Sequence, residues 1–234
     1  LAGICVAGAA AFKHAWLAVR AGDAKIAVAV ASEMPSIGLH ARNFEAETEH
    51  KVQVLEERPE ITFDKDFLRW MLSDGAGAVL MKNQPHGPLS LRVEWVALSS
   101  AAHELPTCMY SGAEKNPDAS LTGWQLFSPQ EWATRSVFTV KQDVKLLNEH
   151  IVRATLTEPL RELVKKHDLA AQKIDWFLPH ISSKYFAEPV AAGVAEAGLN
   201  LPREKWFSNL FEKGNTGSAA PYIMLDELFH SGRI

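Results

Sequence analysis

The stretch Val6-Ala-Gly-Ala-Ala-Ala-Phe-Lys-His-Ala-Trp-Leu-Ala-Val-Arg20, followed by Ala21-Gly-Asp23 and then Ile26-Ala-Val-Ala-Val-Ala31, decides the class of fold. Alanine dominates its first part, where only Lys13, His14 and Arg20 are strongly polar. A helix that is apolar nearly all round is a buried one. Gly22 is the residue type that stops helices, because it takes a left-handed backbone without steric cost. Residues 26–31 form a short, continuous apolar run, as expected of a strand buried on both faces. Helix, tight turn and buried strand are the units of an α/β protein.

The same alternation continues outward. Residues 36–70 are polar and carry Glu45, Glu47, Glu49, Glu56, Glu57 and Glu60, which predicts a solvated loop or helical excursion. Ser73-Asp-Gly-Ala-Gly77 reads as a glycine turn feeding a second buried strand over 78–81. The loose alternation of Leu91, Val93, Trp95 and Ala97 predicts a strand over 89–99. Residues 102–140, with Pro106, Gly112, Pro117, Gly123 and Pro129, read as a long irregular insertion, a kind of loop that is usually functional. Near-helical spacing from Val144 to Leu163 predicts one or two helices, bent before Pro159. A strand over 174–178, a helix over 184–197, a short strand over 205–208, a glycine turn at 214–218 and a helix over 219–230 complete the pattern.

Bulk properties narrow the class. The chain has 234 residues, 47% hydrophobic and 22% charged, enough to bury a sizeable core. A net charge of -4 implies no general attraction to nucleic acid or to an anionic membrane. No apolar stretch reaches the roughly 20 residues of a membrane span. Cys5 and Cys108 are the only cysteines, so no disulfide framework is suggested, and a reducing cytoplasm fits. The chain begins at Leu1 rather than Met and stops at Gly232-Arg-Ile234, where a strand would begin. Both ends are expected to be cuts through a larger domain.

Three residues have the chemistry of a site. Cys5 stands at the start of the first helix, where unpaired N–H groups and positive potential favour thiolate over thiol. Taken alone it reads more readily as a small buried hydrophobe. His180 follows Pro179 at the end of a predicted strand, where α/β sheets gather their functional groups. Asn215 is framed by glycines in Lys213-Gly-Asn-Thr-Gly-Ser218, which suits an exposed amide or a plain turn. A Cys, a strand-end His and a glycine-framed Asn together make an acyl-transfer constellation. Gly75-Ala-Gly77 lacks the third glycine of a dinucleotide fingerprint. The scattered His and two Cys show no metal-ligand spacing, so no metal and no permanently bound cofactor are expected.

Cys5 with its Ala/Gly-rich helix, Ser73-Asp-Gly-Ala-Gly-Ala-Val-Leu80, Leu178-Pro-His180 and Gly214-Asn-Thr-Gly-Ser-Ala219 occur in the order found in the β-ketoacyl-ACP synthase III family, which the chain resembles over nearly its whole length. The resemblance implies a thiolase-like α/β fold: two βαβαβ-type halves with buried helices between mixed sheets. Residues 1–84 would be the C-terminal part of the first half. Residues 85–234 would be most of the second, with the insertion around 102–140. It further implies a cytoplasmic homodimer of fatty acid or polyketide biosynthesis, with acyl-CoA or acyl carrier protein thioesters as substrates. Cys5 would carry the acyl group. His180 and Asn215 would hold the thioester oxygen of a malonyl unit through its decarboxylation and condensation. Ser183 and Gly217 would contact substrate.

One departure separates the chain from the housekeeping enzyme of that family. Where the family carries Gln-Ala-Asn after the histidine, this chain has Ile181-Ser-Ser183, so Ser183 takes the place of an Asn that helps seat the pantetheine arm. A specialised member is therefore expected, with two alternatives: an acyltransferase forming an ester or amide without decarboxylation, or a catalytically inactive partner of a heterodimer. A papain-like peptidase, which also uses Cys, His and Asn, is disfavoured because its local cysteine signature is missing. Trp124, Phe127, Trp132 and Phe138 either line an acyl pocket or pack the insertion down.

Overall fold

The first helix, α1 (Ala7–Ala21), ends as its composition predicts: Gly22 adopts φ 84° and its N–H closes on the Val19 carbonyl. Strand β1 (Ile26–Glu33) follows. The computed structural model describes residues 5–44 and 71–234. A one-turn helix, α2 (Pro35–Gly38), and a short 3-10 turn at Ala41–Phe44 begin the acidic segment. The remainder of that expected excursion lies outside the described residues.

Strand β2 (Gly75–Lys82) runs antiparallel to β1, in a register that sets Glu33 opposite Gly75 and Ile26 opposite Lys82. Here the expectation of a glycine turn fails, since Gly75 and Gly77 lie inside the strand. They serve close approach. A Cβ at Gly75 would stand 2.7 Å from Thr216 Cγ2, and one at Gly77 2.6 Å from Tyr222 Cβ. The expectation of fully buried strands also fails. Ala29, Ala31 and Met81 point into the core, whereas Ile26, Val28, Val30 and Leu80 alternate onto an open face, Val28 being 55% exposed. A continuous apolar run hides this period of two, because both alternating sets are hydrophobic. Helix α1 is likewise buried on one stripe only, through Gly8, Ala15 and Val19.

The core against β1 and β2 comes from both ends of the chain. Ala15 and Val19 of α1, Ala29, Ala31 and Met81 of the strands, and Ala219 and Tyr222 form one buried cluster. Tyr222 belongs to the last helix, α8 (Ala220–His230), and its hydroxyl donates to the Gly8 carbonyl at 2.7 Å. Small residues make this possible. A Cβ at Gly8 would lie 2.3 Å from the Ser218 carbonyl oxygen.

The middle of the chain is built from short pieces. Residues 89–99, expected as a strand, have no strand pairing, and Trp95 instead stacks on His167 with centroids 4.3 Å apart. The expected irregular insertion is ordered: β3 (Met109–Tyr110), β4 (Ala113–Lys115), β5 (Leu121–Gly123), α3 (Pro129–Thr134) and β6 (Lys141–Gln142) pair as β3 with β6 and β4 with β5. Trp124, Trp132 and Phe138 pack mutually with centroids 5.6 to 5.8 Å apart. Phe127 lies under the Arg135 guanidinium, 5.1 Å away. Of the two readings of these aromatics, the packing one holds.

Asp143 caps α4 (Val144–Val152), accepting from Leu146 N–H at 3.0 Å. The predicted bend is a single π turn at Arg153–Thr157, leading into α5 (Glu158–His167) with Pro159 in its first turn. Proline has no N–H to offer the preceding turn and its ring crowds that turn's carbonyl, so the hydrogen-bond ladder slips there. The segment before His180 makes one parallel bridge rather than a strand: Phe177 donates to the Lys205 carbonyl at 2.8 Å and accepts from Phe207 N–H at 2.9 Å. Helices α6 (Ala187–Glu196) and α8 follow as the periodicity predicts, whereas the one-turn α7 (Leu210–Lys213) was not expected. Among the described residues, no helix is long and apolar enough to cross a membrane.

Because Gly8 meets backbone rather than a movable side chain, Gly8→Ala is expected to destabilise the protein by about 1–3 kcal/mol. Tyr222→Phe removes the hydroxyl's bond to the Gly8 carbonyl and is expected to cost about 0.5–1.5 kcal/mol. Urea unfolding of both variants measures these losses.

Candidate active site

Cys5 immediately precedes Val6, the residue that flanks the start of α1. Its side chain keeps accessible surface. Nevertheless, burial by the surrounding protein pushes the thiol pKa up, the charge of Glu33 pushes it the same way, and one backbone hydrogen bond opposes them. The expectation that the helix terminus favours thiolate is therefore overturned. The helix field is a fraction of a charge, and desolvation together with a neighbouring carboxylate outweighs it.

Pro179 is buried, and the Phe177 bridge holds the segment that presents His180. Burial holds the His180 imidazole below its ordinary value, and Glu33 opposes this in part. The ring is therefore neutral at pH 7, with one nitrogen carrying a proton it can donate.

Asn215 is buried, 4% exposed. Its backbone carbonyl accepts from Ser73 N–H at 2.9 Å. Its side-chain Oδ1 accepts from Gly217 N–H at 3.1 Å. An amide NH2 cannot accept a hydrogen bond, so the orientation follows from the Gly217 contact, and both Nδ2 protons remain on the other side. Gly217 has φ 55°, and a Cβ there would lie 3.0 Å from Glu33 Cγ. Only glycine suits both the left-handed backbone and the contact.

A cavity of about 310 Å³ opens beside this turn, lined among others by Met71, Ser182, Ser183, Lys184, Phe211 and Asn215. Ser183 lines the same cavity as Asn215. Gly217, expected to contact substrate, is not part of that lining, and its N–H is committed to holding Asn215. Lys184 Nζ sits 5.8 Å from the centre of the Phe211 ring, and Phe211 is largely exposed at the rim.

Glu33 joins these parts and was not singled out from sequence. It is the last residue of β1, half-buried. Its Oε1 accepts from Ser218 N–H at 3.1 Å, and its charge acts on both Cys5 and His180. The available signal was a carboxylate ending an otherwise apolar run, at the strand end where α/β proteins gather function. Just beyond it, Asp74 takes Ser36 N–H at 3.0 Å and Ser36 Oγ at 2.5 Å, fastening the exit of β1 to the entry of β2. Among the described residues, no group of three His, Cys, Asp or Glu is arranged to hold a metal ion.

Residues 164–234 match the C-terminal region of 3-oxoacyl-[acyl-carrier-protein (ACP)] synthase III. The fold is that of the synthase III enzymes. The 3-oxoacyl-ACP synthase III of Pseudomonas aeruginosa PAO1 superposes with a TM-score of 0.66 at 18% identity, over 100% of this chain and 59% of that one. AbyA1, a tetronic acid condensing enzyme, superposes with a TM-score of 0.63 at 17% identity, over 99% of this chain and 59% of that one. In sequence, β-ketoacyl-ACP synthase III of Streptococcus pyogenes serotype M5 (strain Manfredo) is 22% identical over 164 residues, 70% of this chain. The chain spans 44% of the length of that synthase III. The α/β fold expected from sequence is thus the one this chain shares with these enzymes.

The shifts of Cys5 and His180 define a window. A lowered imidazole contributes stability that is full above its ordinary pKa and is lost as pH falls through the folded value. A raised thiol contributes stability that is full below its ordinary pKa and is lost as pH rises through the folded value. Between these limits both groups are neutral. Iodoacetamide alkylation of Cys5, separated from Cys108 by peptide mass, is expected to reach half its maximal rate above the ordinary thiol pKa. A midpoint below it would mean that the helix terminus governs the thiol.

Proposed function

We propose that the protein transfers an acyl group through a Cys5 thioester and condenses it with a malonyl thioester to give a β-ketoacyl product. The observation that carries this reading is the Asn215 amide on the cavity wall, whose oxygen is held by Gly217 N–H and whose N–H groups have no hydrogen-bond partner among the described residues. A condensing enzyme needs donors aimed at an oxygen that gains charge only as the reaction proceeds.

In the first step the Cys5 sulfur bonds to the acyl carbon, the donor's C–S bond breaks, and the donor leaves as a free thiol carrying the proton that Cys5 gives up. In the second, a malonyl thioester loses carbon dioxide, and the electron pair of the broken C–C bond moves into an enolate. Neutral His180 and Asn215 donate hydrogen bonds to the enolate oxygen. A neutral imidazole suits this role, because it donates without having to release a full charge afterwards. The enolate carbon then attacks the Cys5 thioester, and the Cys5 thiolate that departs takes a proton. The neighbouring cavity would accept the arm of the thioester, with Ser183 contacting it in place of the family's asparagine. The relatives are named for an acyl carrier protein, and CoA or carrier-protein thioesters are the proposed substrates here.

Ser183 on the cavity wall supports a second reading, in which the acyl group passes from Cys5 to an oxygen or nitrogen nucleophile without decarboxylation. One experiment separates the two. Intact mass after incubation with acyl-CoAs is expected to show an adduct that Cys5→Ala abolishes. His180→Ala and Asn215→Ala are expected to retain the adduct and to lose about 100- to 1,000-fold in malonyl-thioester decarboxylation. An adduct with no decarboxylation in the unaltered protein would favour the second reading, and no adduct from any donor would overturn both.

A further inference from the structure

The turn that carries Asn215 is held from beneath by a side chain of another element. Glu33 ends β1, and its carboxylate accepts from Ser218 N–H at 3.1 Å, at the start of the helical segment that continues into α8. Its aliphatic stem packs on Gly217, where a Cβ would approach to 3.0 Å. Gly217 N–H in turn fixes the Asn215 side chain at 3.1 Å. A carboxylate is favoured at this point because the first N–H groups of a helix have no partner within it, and their dipoles leave positive potential there. A charged acceptor also makes the shorter and stronger bond.

Resting on the proposed acyl-transfer reading, we infer that Glu33 is a positioning residue: its carboxylate locks the Gly217–Ser218 backbone so that the Asn215 amide stays aimed at the substrate oxygen. Glu33 acts through Asn215 and does not touch the reacting atoms. The arrangement has a cost, since the same charge faces Cys5 and His180 and raises the proton affinity of both. A structural carboxylate beside a nucleophile that must ionise works against that nucleophile. Its presence is explained by what it holds, the 215–218 turn. Without it, Ser218 N–H loses its acceptor, and the chain of bonds from Ser218 through Gly217 to the Asn215 amide loses its fixed end.

The test compares Glu33→Ala and Glu33→Gln in the otherwise unaltered protein. Gln keeps the length and an oxygen acceptor for Ser218 N–H but removes the charge. Malonyl-thioester decarboxylation is expected to fall about 100-fold in kcat for Glu33→Ala, the loss that follows from misplacing a catalytic group by about 1 Å. Glu33→Gln is expected to recover most of that loss, with KM little changed in either variant. In Glu33→Gln, the midpoint of Cys5 alkylation is expected to move to lower pH because the charge near the thiol is gone, while the fall in kcat at unchanged KM separates positioning from a merely structural role. Glu33→Ala with unaltered kcat would overturn the inference, as would a Glu33→Gln alkylation midpoint identical to that of the parent. Should Glu33→Ala not fold, Glu33→Gln supplies both readouts. Absence of any acyl adduct in the parent protein would overturn the acyl-transfer reading itself and leaves the alkylation profile to judge the contact between Glu33 and Cys5.

Discussion

Contact between Gly8 and the backbone at Ser218 is the constraint on which the rest depends. With a Cβ at Gly8 placed 2.3 Å from the Ser218 carbonyl, α1 and the turn leading into α8 meet main chain against main chain. No side chain intervenes, so the start of α1 and the Asn215 turn are brought together although more than two hundred positions of sequence separate them. Tyr222 then locks the pair, its hydroxyl on the Gly8 carbonyl. Gly75 and Gly77 let β2 approach the same segment from the other side. A core of alanines and glycines buries little apolar area per residue. What it provides is proximity, and a site assembled from three distant segments needs that most.

At that meeting point the electrostatics favour neutral partners. Cys5 is held as a thiol and His180 as a neutral imidazole, each mainly by burial, while Glu33 raises the proton affinity of both. The carboxylate tolerates its position because it faces backbone donors at the head of a helix. The imidazole N–H and the Asn215 amide are the donors the proposed reaction uses, and the cavity that Asn215 lines also carries Met71, Leu210, Ser182, Ser183 and Lys184. Such a site can stabilise a charge that arises only as a reaction proceeds.

The order of elements was legible because its signals are local. An alanine-rich helix closed by Gly22, a proline-bent helix pair at 144–167 and a glycine turn ahead of the last helix each declare themselves within a few residues. Errors fell where a partner decides the outcome. Residues 89–99 alternate as a strand would, yet nothing among the described residues pairs with them. Val28 and Val30 look buried because they are valines, but the pleat turns them outward. Gly75 and Gly77 look like a turn, but they are thin places in a strand where another segment presses close.

By itself the sequence determined the α/β class, the long helices and the two strands nearest them, and Cys5, His180 and Asn215 as the residues worth watching, since each follows from residue type and immediate neighbours. Only the tertiary structure decided the protonation of Cys5 and His180, the direction of the Asn215 amide, and the part played by Glu33. Those depend on burial and on hydrogen bonds between segments far apart in the chain. A carboxylate's field and a backbone donor's reach both act through space, over a few ångströms that sequence separation does not measure.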